Sequence, residues 1–347
     1  MTDRRSFLAG LFAASLYSKP TWADAGSPAF LSAGLKPDGT YVLCGLTEAG
    51  DLTFEITLPA RGHAAAAHPR LAHAVAFARR PGTYAVVVDC AQGRQIARLE
   101  APMGRHFYGH GVFSADGDLL FTTENDFDNA KGLVGVWDAR KDYARIAEFA
   151  SGGVGPHEIK LMPDGMSLVV ANGGIETHPD TGRAKLNIPT MRANLSFLNL
   201  DGGIRTKIEL GPEHQRNSIR HLAVADNGTV AFGLQWQGDT AHSESVVGTY
   251  SSITGTTLFD DRNALGGYVG SIAITSDAGL ISATSPRSGR AVEYSVANKA
   301  VSKEVQLEDI CGVATINDQF IYTNGAGLAA QRQHETQWDN HLIKLKQ

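Results

Sequence analysis

One short pattern returns seven times along this chain: a strand, a tight turn and a second strand. The segments are "AFLSAGLKPDGTYVLCGL" from Ala29, "RGHAAAAHPRLAHAVAFARRPG" from Arg61, "YGHGVFSADGDLLFTTEND" from Tyr108, "GPHEIKLMPDGMSLVVANGG" from Gly155, "SIRHLAVADNGTVAFGLQW" from Ser218, "YVGSIAITSDAGLISATSP" from Tyr268 and "ICGVATINDQFIYTNGAG" from Ile310. Pro-Asp-Gly, Ala-Asp-Gly and Asp-Asn-Gly are the turn chemistry of short hairpins. The strands that follow are short, apolar and rich in Val, Leu, Phe and Ile, as buried strands are. His63, His110 and His157 stand 47 residues apart, and His221 follows after 64, the excess lying in the loop 173–194. A unit of about 46 residues falls within the period of propeller blades. The pattern therefore predicts an all-β fold, a seven-bladed β-propeller whose four-stranded antiparallel blades surround a central channel. The first and last units match least well, so six or eight blades are the alternatives. Nothing in the composition marks a second domain, and residues 26–347 are expected to form one.

The first 25 residues read differently. Arg4-Arg5-Ser6-Phe7-Leu8 opens a charged region, an apolar run extends to Tyr17, and Ala23-Asp24-Ala25 supplies a small-x-small cleavage pattern. That layout is a secretory leader, with an apolar run too short to span a bilayer. The paired arginines fit the twin-arginine signal, which exports folded proteins; an ordinary secretory signal is the alternative. Residues 1–25 are thus expected to be a leader and the mature protein periplasmic. Net charge is −5 with no basic run, so nucleic acid is not an expected partner. No transmembrane segment is expected either. The three cysteines, Cys44, Cys90 and Cys311, are too few for a disulfide scaffold; one bridge, such as Cys44 with Cys90, stays open.

In an antiparallel meander, the start of the innermost strand and the end of its neighbour lie at one sheet edge. In a propeller that edge is one face of the disc, beside the channel mouth. The rule gathers His106, Tyr108 and His110 with Glu124, Asn125 and Asp126. It also brings Arg61 and His63 to Arg79 and Arg80, and His157 with Glu158 to Asn172, Glu176, His178 and Arg183. Arg220 and His221 meet Gln235; Tyr268 and Ser271 meet Arg287. The expected metal ligands are His63, His106, His110, His157, His178 and His221. The expected ligand-binding residues are Arg61, Arg79, Arg80, Arg105, Tyr108, Glu124, Asn125, Asn172, Glu176, Arg183, Arg220, Gln235 and Arg287. A histidine near a blade's first strand can instead be a structural hydrogen-bonding residue, and each of these positions has that plainer explanation.

The stretches "LPARGH", "FARRPG", "GRHFYGHGVFSADG", "TEND", "GPHEIKLMPDG", "VANGGIETHP", "SIRHLAV", "YVGS", "TSPR" and "CGVA", between Leu58 and Ala314, resemble the bacterial DUF1513 family of twin-arginine-exported proteins. The resemblance implies a propeller-like periplasmic protein with no assigned reaction, associated with imelysin-like and other iron-uptake proteins as partners. "PTMRANL" departs from the family's Met-x-Pro-x-Leu at the end of the long loop.

Imidazoles near the axis could hold copper, iron or zinc. Arginines beside them favour an anion through their planar forks. Together they point to a small anionic ligand or a metal complex, such as a ferric chelate or haem, bound without catalysis. The competing class is a metal-dependent lactonase or other hydrolase, using His157 or His106 as a general base beside Glu124 or Glu176. Gly-x-Ser-x-Gly does not occur, which removes the usual acyl-enzyme chemistry. A third class, a protein-interaction platform, would want a rim of exposed aromatics.

Overall fold

The computed structural model describes residues 19–345 except Arg80, Pro81, Arg183, Glu244, Asp261 and Arg262. The described residues form seven four-stranded antiparallel sheets. The innermost strands are Gly62–Ala67, Arg105–Phe113, Pro156–Leu161, Asn217–Val224, Ser271–Ile274, Ile310–Ile316 and Gln337–Lys344. Each packs against the next, and Gln337–Lys344 packs back on Gly62–Ala67, so the ring closes. The seven-bladed propeller expected from the repeat is the fold.

One detail of the repeat is corrected. The hairpin beginning at Ala29 does not supply the two inner strands of a blade. Phe30–Leu35 and Tyr41–Leu46 are the second and third strands of a sheet whose innermost strand is the C-terminal Gln337–Lys344. The two chain ends are therefore paired in one blade, and this joint closes the disc.

The polar end of the innermost strands is irregular. Register shifts fall between Gly62 and Ala65, Phe107 and Gly111, Pro156 and Glu158, Ile219 and His221, and opposite Trp338 to Leu342. A bulge re-aims a side chain that the pleat would otherwise send into the blade. His63, His110, His157, His221 and His341 each sit within or at the edge of one of these bulges. Gly109 makes room for the first: its φ is +94°, and a Cβ there would stand 2.4 Å from the His63 ring.

Between blades the strands bury Phe77, Phe107, Phe121, Phe232 and Phe259, which hold neighbouring sheets together. Cys44, Cys90 and Cys311 are all free and buried, and burial pushes each thiol up to about 12. Cys44 and Cys90 belong to separate core clusters.

Candidate functional site: a five-histidine ring in the channel

Five consecutive blades each turn one imidazole into the channel. Ring centroids lie 4.9 Å apart for His63 and His110, 4.8 Å for His63 and His341, and 4.7 Å for His110 and His341. His157 is 4.9 Å from both His110 and His221, and His221 is 5.2 Å from His341. Within each of the groups His63–His110–His341 and His110–His157–His221, one ligand nitrogen per residue falls within 4.8 Å of the others. His110 belongs to both. The two remaining blades present Ser271 and Cys311 at the equivalent strand starts. Their side chains are occupied: Ser271 Oγ accepts from Val313 N, and Cys311 Sγ donates to Trp338 O.

Among the described residues, four ring nitrogens are buried with no partner: His63 Nδ1, His110 Nε2, His157 Nδ1 and His341 Nε2; the fifth, His221 Nδ1, has only the Glu158 carboxylate at 3.4 Å. A buried polar atom left unpaired costs about 1–3 kcal/mol, so an arrangement that repeats this four times is costly unless the nitrogens gain partners. The same burial keeps the imidazoles neutral. His63 is lowered to about 4, chiefly by burial against an opposing pull from Asp339. His110, His157 and His341 are held well below the usual histidine range by burial and by one another. Neutral imidazole is the form that binds metals.

One carboxylate reaches the ring. Glu158 Oε2 lies 3.4 Å from His221 Nδ1 and accepts from Leu222 N at 3.1 Å. Its Oε1 lies 3.8 Å from His110 Nδ1 and 2.7 Å from Lys160 Nζ. Although burial alone would raise Glu158, Lys160 and His221 outweigh it and hold the carboxyl far below the usual range. A carboxylate behind the histidines fixes which ring nitrogen faces the channel.

Cations crowd the mouth above. Arg61 Nε is 2.9 Å from Asp339 Oδ2, and Arg79 is 3.8 Å from Oδ1 of the same residue. On the other side Arg287 stacks over the Tyr268 ring at 4.1 Å, and Lys185 donates to Gln237. Burial, then Arg220 and Arg287, lowers Lys185, and Arg220 also acts on His157. Lys185, Arg220 and Arg287 therefore share one field beside the ring.

The other expected residues are placed elsewhere. Glu124 is fully buried and gripped by Arg145 at 2.6 and 2.9 Å, with Arg105 at 4.0 Å; Arg105 in turn forks onto Glu148. Asn125 donates to His106 Nε2 at 3.1 Å, leaving His106 Nδ1–H for Phe107 O at 3.0 Å. His106 stacks on Phe127 and edges Tyr108, whose buried hydroxyl has no hydrogen-bond partner among the described residues. His178 faces Asp128 at 3.3 Å and caps a short helix. Asn172 spends its amide on Ser151, Asn194 and Ser196. Glu176 contributes its backbone N–H to Asn187, and Gln235 donates to Val269 O. Arg80 and Arg183 lie outside the described residues. Sequence reasoning missed His341, Lys160 and Lys185; for His341 the one available signal was a histidine in the strand-like "WDNHLIKL".

A propeller with an imidazole-lined channel is thus the class of protein. The chain belongs to the family described as "Protein of unknown function (DUF1513)", whose model matches residues 56–345. No curated protein matches the sequence. Among solved structures, the chain is similar to Kuenenia stuttgartiensis hydrazine synthase. The TM-score is 0.64 at 13% identity, over 86% of this chain and 93% of that one, a likeness of fold.

Proposed function

We propose that the protein binds a transition-metal ion in the five-histidine ring, taken from an anionic complex held at the cationic mouth. The observation that carries this is the set of four buried, unpartnered ring nitrogens on histidines that form two overlapping three-histidine groups sharing His110. Imidazole donors suit copper, zinc and iron. Lys185, Arg220 and Arg287 suit the carboxylates of a chelate such as ferric citrate. Haem would have to lie across the mouth, because centroids 4.7–6.1 Å apart leave no slot between the rings. Binding rather than hydrolysis is favoured because Glu124, the acid wanted by a hydrolase, is bound by Arg145. A role accessory to iron acquisition rests on the family resemblance.

The test is metal analysis followed by equilibrium dialysis with copper(II), iron(II), zinc(II) and ferric citrate. The expected result is one ion per chain. Changing an outer-shell group costs roughly 10–100-fold in metal affinity, so His110→Ala, which removes the residue common to both groups, should lose more than about a hundredfold. Arg220→Ala should weaken ferric citrate by about tenfold and free ions far less. Native protein that binds none of the four removes the proposal.

We also propose a periplasmic location reached by the twin-arginine route, which the leader pattern supports. Residues 1–18 lie outside the described part. Pro20 to Ala25 pack on the disc: Ala72 N donates to Pro20 O, Trp22 Nε1 donates to His68 O at 2.7 Å, and Ala25 is buried. A peptidase cutting after Ala25 must first unlatch this segment. Replacing Arg4 and Arg5 by Lys should leave the protein in the cytoplasm; undiminished export would sink the twin-arginine route.

A further inference from the structure

The channel has a second end, where all seven innermost strands line an apolar basin of about 460 Å³. Lys160 is the residue that joins the two ends. It lines this basin, yet its ammonium lies 2.7 Å from Glu158 Oε1, the carboxylate behind His110 and His221. The Glu158 side chain is 5% exposed and that of Lys160 33% exposed. One partner is thus fixed inside the wall while the other can reach water through the basin.

We propose that Lys160 is a built-in competitor for the metal. Its ammonium occupies the carboxylate that a cation in the ring would use as counter-charge, and it must yield when an ion enters. The proposal rests on the metal-binding reading and adds what sets the affinity. Imidazole ligates a metal in its neutral form, so the fixed negative charge beside His110 and His221 is Glu158, and Lys160 cancels it. Glu158 cannot withdraw to meet the ammonium elsewhere, because Leu222 N holds its other oxygen. The lysine, on a flexible stem, can swing toward the basin. No bond is made or broken in this exchange; one cation replaces another beside a fixed anion.

The competition scales with the charge of the incoming ion, which separates it from a merely structural pair. Lys160→Met replaces the ammonium with an apolar side chain of similar length in an apolar basin. A unit charge a few ångströms from the ion in a half-buried wall accounts for roughly a tenfold or greater change in affinity. Lys160→Met should therefore bind copper(II) about tenfold tighter or more, and chelator-buffered copper(I) tighter by a clearly smaller factor. Lys160→Arg keeps the charge and should stay near native. Glu158→Gln should weaken copper(II) by roughly 10–100-fold, as loss of a carboxylate behind ligand histidines does. Should the glutamine variant fail to fold, the lysine variants decide the question alone.

The measurement is competitive titration of native and variant proteins with both copper oxidation states. If native protein and every variant bind no copper, this inference falls, and the metal-binding reading falls with it only when iron(II), zinc(II) and ferric citrate also fail to bind. If native protein binds but Lys160→Met gains less than about threefold, or gains equally for copper(I) and copper(II), the metal reading stands and the competitor role is overturned.

Discussion

The two ends of the channel are built by the same seven strands and share almost nothing chemically. At one end the strands are bulged, and five of them turn imidazoles inward beneath a rim that includes Arg61, Arg79, Arg220 and Arg287. At the other they run in register, several of them into short turns such as Asp116-Gly117 and Asp164-Gly165, and are lined by Ala66, Phe113, Leu161, Leu222, Ile274 and Leu342. The sheets need only paired backbone and packed faces between blades, and both ends meet that need. The difference shows where the fold departs from its own regularity. Each bulge interrupts ladder bonding locally, and the four unpartnered nitrogens add desolvation on top. Such departures collected at one end are the physical sign of a site.

The ring end should be the part of the molecule that fails first in acid, and this is the largest effect expected. The imidazoles of His63, His110, His157 and His341 are held below 6.5, His63 to about 4. In the unfolded chain they titrate normally. Between about pH 6.5 and pH 4 the unfolded state therefore binds more protons, and stability falls as pH falls through that window. Above about 6.5 both states are neutral and the effect vanishes. The slope is at most about 1.4 kcal/mol per pH unit for each such group. Chemical denaturation at pH 7, 6, 5 and 4.5 should show this steep loss, and His110→Gln with His341→Gln should flatten it. A stability that stays level from pH 7 to 4.5 would mean the rings are far more open to water than their burial indicates.

How much of this contrast could be seen beforehand follows the local or distant origin of each part. The hairpins declare themselves locally, through Asp-Gly turns and apolar runs, and the 47-residue spacing of His63, His110 and His157 puts them at one repeat position. His341 is on the same ring but its strand has no hairpin partner downstream. It pairs with Phe30–Leu35 at the other end of the chain, a contact that no local pattern encodes. The acidic run after Phe121 illustrates the opposite error. Its strand position correctly puts Glu124 toward the polar edge, but the side chain turns into the blade to meet Arg145 from two strands away. For Glu158 and Lys160, spacing alone places both on one face of a strand, and both stand in regular register beyond the bulge at His157; that one is locked in the ring wall and the other opens to the basin comes from the neighbouring strands. Alternation rules carry register only as far as the first bulge.

The smallest expected effect is the one that separates a contact from a field. Lys344 lines the same basin as Lys160, at the end of the innermost strand that carries His341, but its side chain is exposed and has no ion pair among the described residues. A charge in water beyond the wall is screened within about 10 Å at ordinary ionic strength. Lys344→Met removes the same formal charge from the same opening as Lys160→Met does. It should shift copper(II) affinity by less than about twofold, against roughly tenfold for the residue in contact with Glu158. Equal gains from the two lysines, measured side by side at about 0.15 M salt, would mean that the ring senses the summed charge of the basin. A gain confined to Lys160 places the control at the Glu158 carboxylate, and makes the two ends of the channel separable in function as they are in chemistry.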